Sequence, residues 1–176
     1  MANPLGVADN LGEWFEVHNA SDRDVYLDGL LIQSGAGEFH AIRPGTMLTA
    51  GGYMSFGAND NVDVNGGAHI DYVYSNIVMT NQQDEIAIWM FDQTTSGTNA
   101  TLLDQVYWSE EGEFPYEAGA SMALEPLFSS SDENDDGASW CLADLAWGEG
   151  TDLGTPGEAN GPCASYDHDG DGYSKV

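Results

Sequence analysis

A chain of 176 residues is long enough for one domain with its own apolar core. Thirty Asp and Glu stand against only three basic residues, Arg23, Arg43 and Lys175, for a net charge of −27. That balance argues against nucleic acid and anionic lipid surfaces as partners, because both are bound through Lys and Arg. It suits solubility in salty surroundings, and equally the binding of divalent cations.

The predicted elements are short and turn-separated. Glu13 to Asn19 reads as a strand, with Phe15 and Val17 on one face and Trp14, Glu16 and His18 on the other. A turn at Ala20 to Asp24 leads into a second run, Val25 to Gln33, followed by Phe39 to Ile42 and Tyr53 to Gly57. Pro44-Gly45 and Gly51-Gly52 mark the turns between them. Ile70 to Tyr74, Glu85 to Phe91, Leu102 to Trp108 and Ser121 to Glu125 complete the set, with a last strand region at Ser139 to Leu142. Apolar residues on both faces of Ile86 to Phe91 predict a central strand covered from both sides.

No window shows helical spacing of apolar positions, and no apolar run approaches the roughly 18 to 20 residues of a membrane helix. Nor does a basic region followed by an apolar stretch open the chain, so no signal peptide is expected in it. About eight short strands without a repeat unit predict an all-β sandwich. After Cys163 the composition changes to an acidic tail with little to bury, so the expected division is a sandwich over 1–163 and a tail over 164–176.

Four segments in order carry a family resemblance. Gly12-Glu13-Trp14-Phe15-Glu16-Val17-His18-Asn19 is similar to the opening motif of the lamin-tail domain, and Val25-Tyr26-Leu27-Asp28-Gly29-Leu30 to its second strand. Leu48-Thr49-Ala50-Gly51-Gly52-Tyr53 resembles its Gly-Gly-Tyr turn, and Thr155-Pro156-Gly157-Glu158-Ala159-Asn160 its closing T-P-G-x-x-N signature. The resemblance spans residues 3 to 163 and implies an immunoglobulin-like β-sandwich with Greek-key type connections. It departs from the family in two places. Only Met1-Ala2 precede Asn3-Pro4, where a first strand is expected, so a sheet edge is expected to stand open and to invite pairing with another copy. Leu30 stands where many members have Trp. For function the resemblance implies adhesion, anchoring or scaffolding in secreted or surface proteins, with no family chemistry to transfer.

The two cysteines, Cys141 and Cys163, form an even pair in a module of extracellular character, which suggests a disulfide rather than two free buried thiols. The sharpest chemical motif lies in the tail. Asp167, Asp169 and Asp171 hold positions 1, 3 and 5 of an EF-hand-like loop, Gly172 holds position 6, and the carbonyl of Tyr173 would serve at position 7. Alternate side chains in a tight loop converge on one point, which is what Ca2+ requires. Because position 12 lies beyond Val176, the site is expected to be weak here, and the segment resembles the first repeat of a thrombospondin type 3 array. Asp132, Asn134 and Asp136 repeat the pattern ahead of Gly137 and form a second candidate, with an acidic turn as the plainer reading. Glu13 and Glu16, with Asp9 and Asp28, could form a third anionic cluster.

Catalytic signals are absent. Gly119-Ala120-Ser121-Met122-Ala123 misses the nucleophile elbow, which needs a strand, a sharp turn and a helix. His18, His40, His69 and His168 show no paired spacing. The expectation is therefore a non-catalytic interaction or scaffold module that binds a protein or surface glycan outside the cell, and inserts in no membrane. The alternative is a carbohydrate-binding accessory domain using Trp14, Tyr53, Tyr72, Tyr74 or Trp108 as sugar platforms.

Overall fold

The computed structural model describes residues 1–94, 97–109, 112–148 and 150–164. In chain order these form a one-turn helix α1 (Asp9–Gly12), then β1 (Trp14–His18), β2 (Val25–Tyr26), β3 (Leu31–Ser34), β4 (Phe39–Ala41) and β5 (Met47–Leu48). There follow β6 (Tyr53–Gly57), β7 (Tyr72–Val73), β8 (Gln83–Thr94), β9 (Gly97–Ser109), β10 (Met122–Leu124), a 3₁₀ turn (Gly137–Ser139) and β11 (Trp140–Leu142). The chain is mostly β and builds several small sheets, in the orders β1-β6-β7, β4-β3-β8-β9, β2-β5 and β10-β11.

β1 pairs antiparallel with β6, Trp14 opposite Gly57 and His18 opposite Tyr53. The Gly51-Gly52 turn that delivers β6 needs φ +64 at Gly51, a left-handed angle that a side chain would oppose. β6 then pairs parallel with β7, Phe56 opposite Tyr72. The main core draws on both larger sheets: Ile32, Phe56, Tyr72, Ile86 and Trp108 are buried together. The alternation of β1 is as its pattern predicts. Phe15 and Val17 pack on this main core, while Trp14 joins a smaller cluster with Met1, Ala68 and Ile70.

Three expectations need correcting. The run from Val25 to Gln33 is two strands: Leu27 N–H bonds Thr46 O (2.9 Å) in register with the β2-β5 pair, and the chain then turns through Asp28 and Gly29, with Leu30 N–H on Leu27 O (3.1 Å), before β3 begins. Of Ile70 to Tyr74, only Tyr72–Val73 is strand. The double cover of Ile86 to Phe91 ends partway. β3 pairs with β8 only from Ile86 to Trp89, so Met90 and Phe91 run on past β3 paired with β9 alone, and are exposed. A register shift between Ile88 and Trp89, opposite Asp104 and Leu102, marks where the hairpin leaves the sheet.

Cys141 on β11 and Cys163 form a disulfide, with Cα atoms 5.8 Å apart. It fixes the segment after the T-P-G-E-A-N motif to the β10-β11 sheet. Among the described residues no helix is long and apolar enough to cross a membrane.

Candidate functional site

The motif residues that suggest a function turn out to hold loops together. Asn19, buried at the end of β1, donates through Nδ2 to Arg23 O (2.7 Å), Leu48 O (3.2 Å) and Thr49 O (3.0 Å). Its own backbone brackets the glycine turn, Asn19 N–H bonding Gly52 O and Gly51 N–H bonding Asn19 O. Asp28 Oδ1 accepts the amides of Gly45 (2.8 Å) and Thr46 (3.0 Å). In the closing motif, Gly157 N–H donates to Glu16 Oε1, and Asn160 Nδ2 donates to Leu124 O (3.2 Å). Gly157 has φ +87 and lies so close to His69 that an added Cβ would meet Cδ2 at 2.9 Å.

With so few basic residues, backbone N–H groups take the place of Lys and Arg as carboxylate partners. Asp152 accepts Leu5 and Gly6 amides at 2.7 and 3.1 Å, Asp84 accepts those of Gly35 and Thr80 at 2.9 and 2.6 Å, and Glu125 accepts that of Cys163 at 2.7 Å. The same arrangement pulls the Glu13–Glu16 cluster apart. Glu13 Oε2 faces Met79 N–H (3.3 Å), Asp9 Oδ2 accepts Asn81 Nδ2 (3.1 Å), and Glu16 and Asp28 serve the loops already named. Burial pushes the carboxyls of both Glu13 and Glu16 up to about 7, against the pull of the amides of Met79 and Gly157.

The 132–136 loop does not converge its side chains on one point. Asn134 is buried and turns its Nδ2 to both oxygens of Asp104 (3.1 Å each), while its carbonyl accepts Trp140 Nε1–H (2.8 Å). Asp132 and Asp136 are exposed, and Asp136 Oδ1 accepts Ala138 N–H at the head of the 3₁₀ turn. Burial raises the Asp104 carboxyl, opposed by the bonds from Asn134 and Gln105. Among the described residues, no group of three or more His, Cys, Asp or Glu could hold a metal ion. Asp167, Asp169, Asp171 and Tyr173 lie outside the described residues, as does His168.

Ser121 is buried between β10 neighbours, its N–H on Leu153 O and its carbonyl on Ala143 N–H. His40 sits 2.8 Å from Tyr72 Oη and 3.2 Å from Ser75 Oγ, but its Nδ1 also accepts Ser75 N–H (3.2 Å), which ties the ring to a loop. Burial lowers the His40 pKa, and the Arg43 charge, set over the Tyr72 ring at 4.5 Å, lowers it further. His18 stacks on Tyr53 at 4.3 Å.

One feature has no internal use of this kind: a cavity of about 210 Å³ beside β1. It touches Phe15 and Val17 on one face of the strand and Glu16 and His18 on the other, so it runs along the strand's edge. Met122 and Leu124 of β10 and Trp108 of β9 form other parts of its wall. The pattern of β1 says which side chains point inward; nothing local in it signals that one edge lacks a neighbour.

The chain matches no protein-family model, no curated protein and no solved structure.

Proposed function

We propose that the chain is a non-catalytic interaction or scaffold module of a secreted or surface protein, an immunoglobulin-like sandwich of lamin-tail type. One observation carries this reading. The residues that its motifs single out, Asn19, Asp28, Glu16 and Gly157, are engaged with backbone amides and carbonyls of distant loops, as structural signatures are. The first and third motifs meet through Asn19, and the first and last through Glu16, which supports reading them as parts of one fold. The disulfide suits an oxidising, extracellular setting. Calcium belongs, in this reading, to the Asp167–Tyr173 loop as the start of a stalk.

The sugar-platform alternative loses its footing. Trp14, Tyr72, Tyr74 and Trp108 are only 4, 3, 3 and 6 % exposed, and Tyr53 is covered on one side by His18. Assaying the whole chain on ester, phosphate and glycoside substrates tests the main reading: turnover that survives repurification and vanishes on unfolding would overturn it.

A further inference from the structure

We infer that the open edge of β1 receives an extended strand from a partner protein, apolar where it faces the cavity and flanked by Lys or Arg. The inference rests on the interaction-module reading and gives that module its mode of binding.

The ladder shows which backbone groups are free. Asn19 N–H bonds Gly52 O and Ala58 N–H bonds Glu13 O, so the odd-numbered residues of this stretch face β6. Even-numbered residues therefore face the other way. Trp14 does so and is met there: Met1 N donates to Trp14 O (2.9 Å) and Trp14 N–H donates to Met1 O (3.0 Å), an antiparallel rung. Glu16 and His18 are the next two rungs in that lane. Among the described residues, their backbone N–H and C=O groups have no hydrogen-bond partner.

Across the cavity, β10 also turns an edge away from its sheet partner, although Leu124 O there is already met by Asn160 Nδ2 (3.2 Å). Ser121 O and Glu125 N–H bond Ala143 and Ser139, so Met122 and Leu124 turn their backbone groups away from β11. A lane bounded by a strand edge and floored by Phe15, Val17 and Trp108 is shaped for one added strand, whose main chain would supply the bonds and whose alternate side chains would fill the cavity.

Charge selects the occupant. The cavity wall contains no Lys or Arg, and because burial favours the neutral forms of Glu16 and Asp104 in it, the selecting field is that of the whole chain, −27. A second copy of this chain would bring another −27 to the same place. A basic partner is drawn in by the same field, and faster at low salt.

Amide hydrogen exchange on the whole chain tests this, with three capped peptides as probes: acetyl-Lys-Val-Thr-Val-Thr-Val-Lys-amide, the same peptide with Glu for Lys, and the same with Pro for the central Val. The Lys peptide is expected to slow exchange at Glu16 and His18 at least about tenfold at saturation, while leaving exposed loop amides unchanged. The Glu peptide should bind at least about tenfold more weakly, and the Pro peptide should not protect. His18→Pro removes an outward N–H and no β6 rung, and should abolish protection in a variant whose cooperative melt persists.

Slow exchange at both amides in the protein alone would overturn the inference, because the edge would already be covered. Protection that appears only with dimerisation would assign the edge to a second copy instead. Failure of every peptide to protect the two amides also overturns it. Saturable binding that leaves Glu16 and His18 unprotected would sink this inference while the interaction-module reading stands; turnover in the substrate assays would sink that reading by itself.

Discussion

Glu16 on β1 accepts the backbone N–H of Gly157, 141 residues further along the chain. The carboxylate that closes this contact is largely removed from water, as is that of Glu13 on the preceding residue pair, and each has its pKa raised from 4.5 to about 7.

Between pH 4.5 and 7 the folded chain therefore binds protons at Glu13 and Glu16 that the unfolded chain has released. Their contribution to stability is fully present below pH 4.5 and is lost as pH rises through 7. Thermal unfolding at fixed ionic strength should give a higher Tm at pH 5 than at pH 8. Glu13→Gln and Glu16→Gln keep an acceptor for Met79 and Gly157 without the charge. Each should stabilise the protein at pH 8 by about 1–3 kcal/mol and flatten the pH dependence. Equal slopes in wild type and both variants would show that these carboxyls are not the groups that titrate.

Asn19 gives a sharper stability test, because its side-chain amide serves three carbonyls at once. Asn19→Ala should cost about 2–4 kcal/mol by leaving those acceptors unpaired. Asn19→Asp should cost more at pH 7, by setting a carboxylate against them, and should recover partly below pH 4. Denaturant titration of the three proteins measures both effects.

Reducing the Cys141–Cys163 disulfide opens a loop with a sequence separation of 22. Chain-entropy arguments put the loss near 3 kcal/mol, which is a fall in Tm of roughly 6–12 °C for a chain of this length. Melts with and without a phosphine reductant, and of the Cys141→Ser and Cys163→Ser double variant, should agree.

Calcium distinguishes the two acidic loops. Asp132→Asn and Asp136→Asn should leave calcium binding unchanged, since Asn134 between them is committed to Asp104. Asp167→Asn and Asp169→Asn should abolish whatever weak binding isothermal titration detects, with a dissociation constant of about 10⁻⁴ to 10⁻³ M in the parent. The opposite pattern would move the site into the 132–136 loop.

Much of the β content was legible because period-2 alternation reports local geometry. The run Tyr53 to Gly57 is β6 residue for residue, and the faces of β1 sort as their side chains suggest. The cystine followed from two cysteines and a module of extracellular character. What escaped depends on neighbours that no window contains. Met47–Leu48 is a strand only because Val25–Tyr26 lies beside it, and Met90 and Phe91 are exposed only because β3 stops at Leu31. The candidate site is of this second kind. Phe15 and Val17 announce a buried face, and the few residues ahead of Asn3-Pro4 raised the expectation of an open sheet edge; that the edge belongs to β1, beside Glu16 and His18, is a property of the assembled sheet. The 132–136 loop stayed open between a cation loop and a plain acidic turn for a related reason: D-x-N-x-D spacing cannot tell that Asn134 will find Asp104.

The contacts of Glu16 with Gly157, of Asp152 with Leu5 and Gly6, and of Glu125 with Cys163 set an order on how the molecule is made. As the chain leaves the ribosome, the residues around β1 emerge well before these partners: Glu16 must wait for the 141 residues that separate it from Gly157. Long-range pairing of this sort is slow to close, and an exposed, unfinished strand is the state most open to misassembly. The strong negative charge would then serve the nascent chain before it serves the folded one, by keeping incomplete copies apart until the segment with Gly157 and Cys163 arrives to be bonded and oxidised.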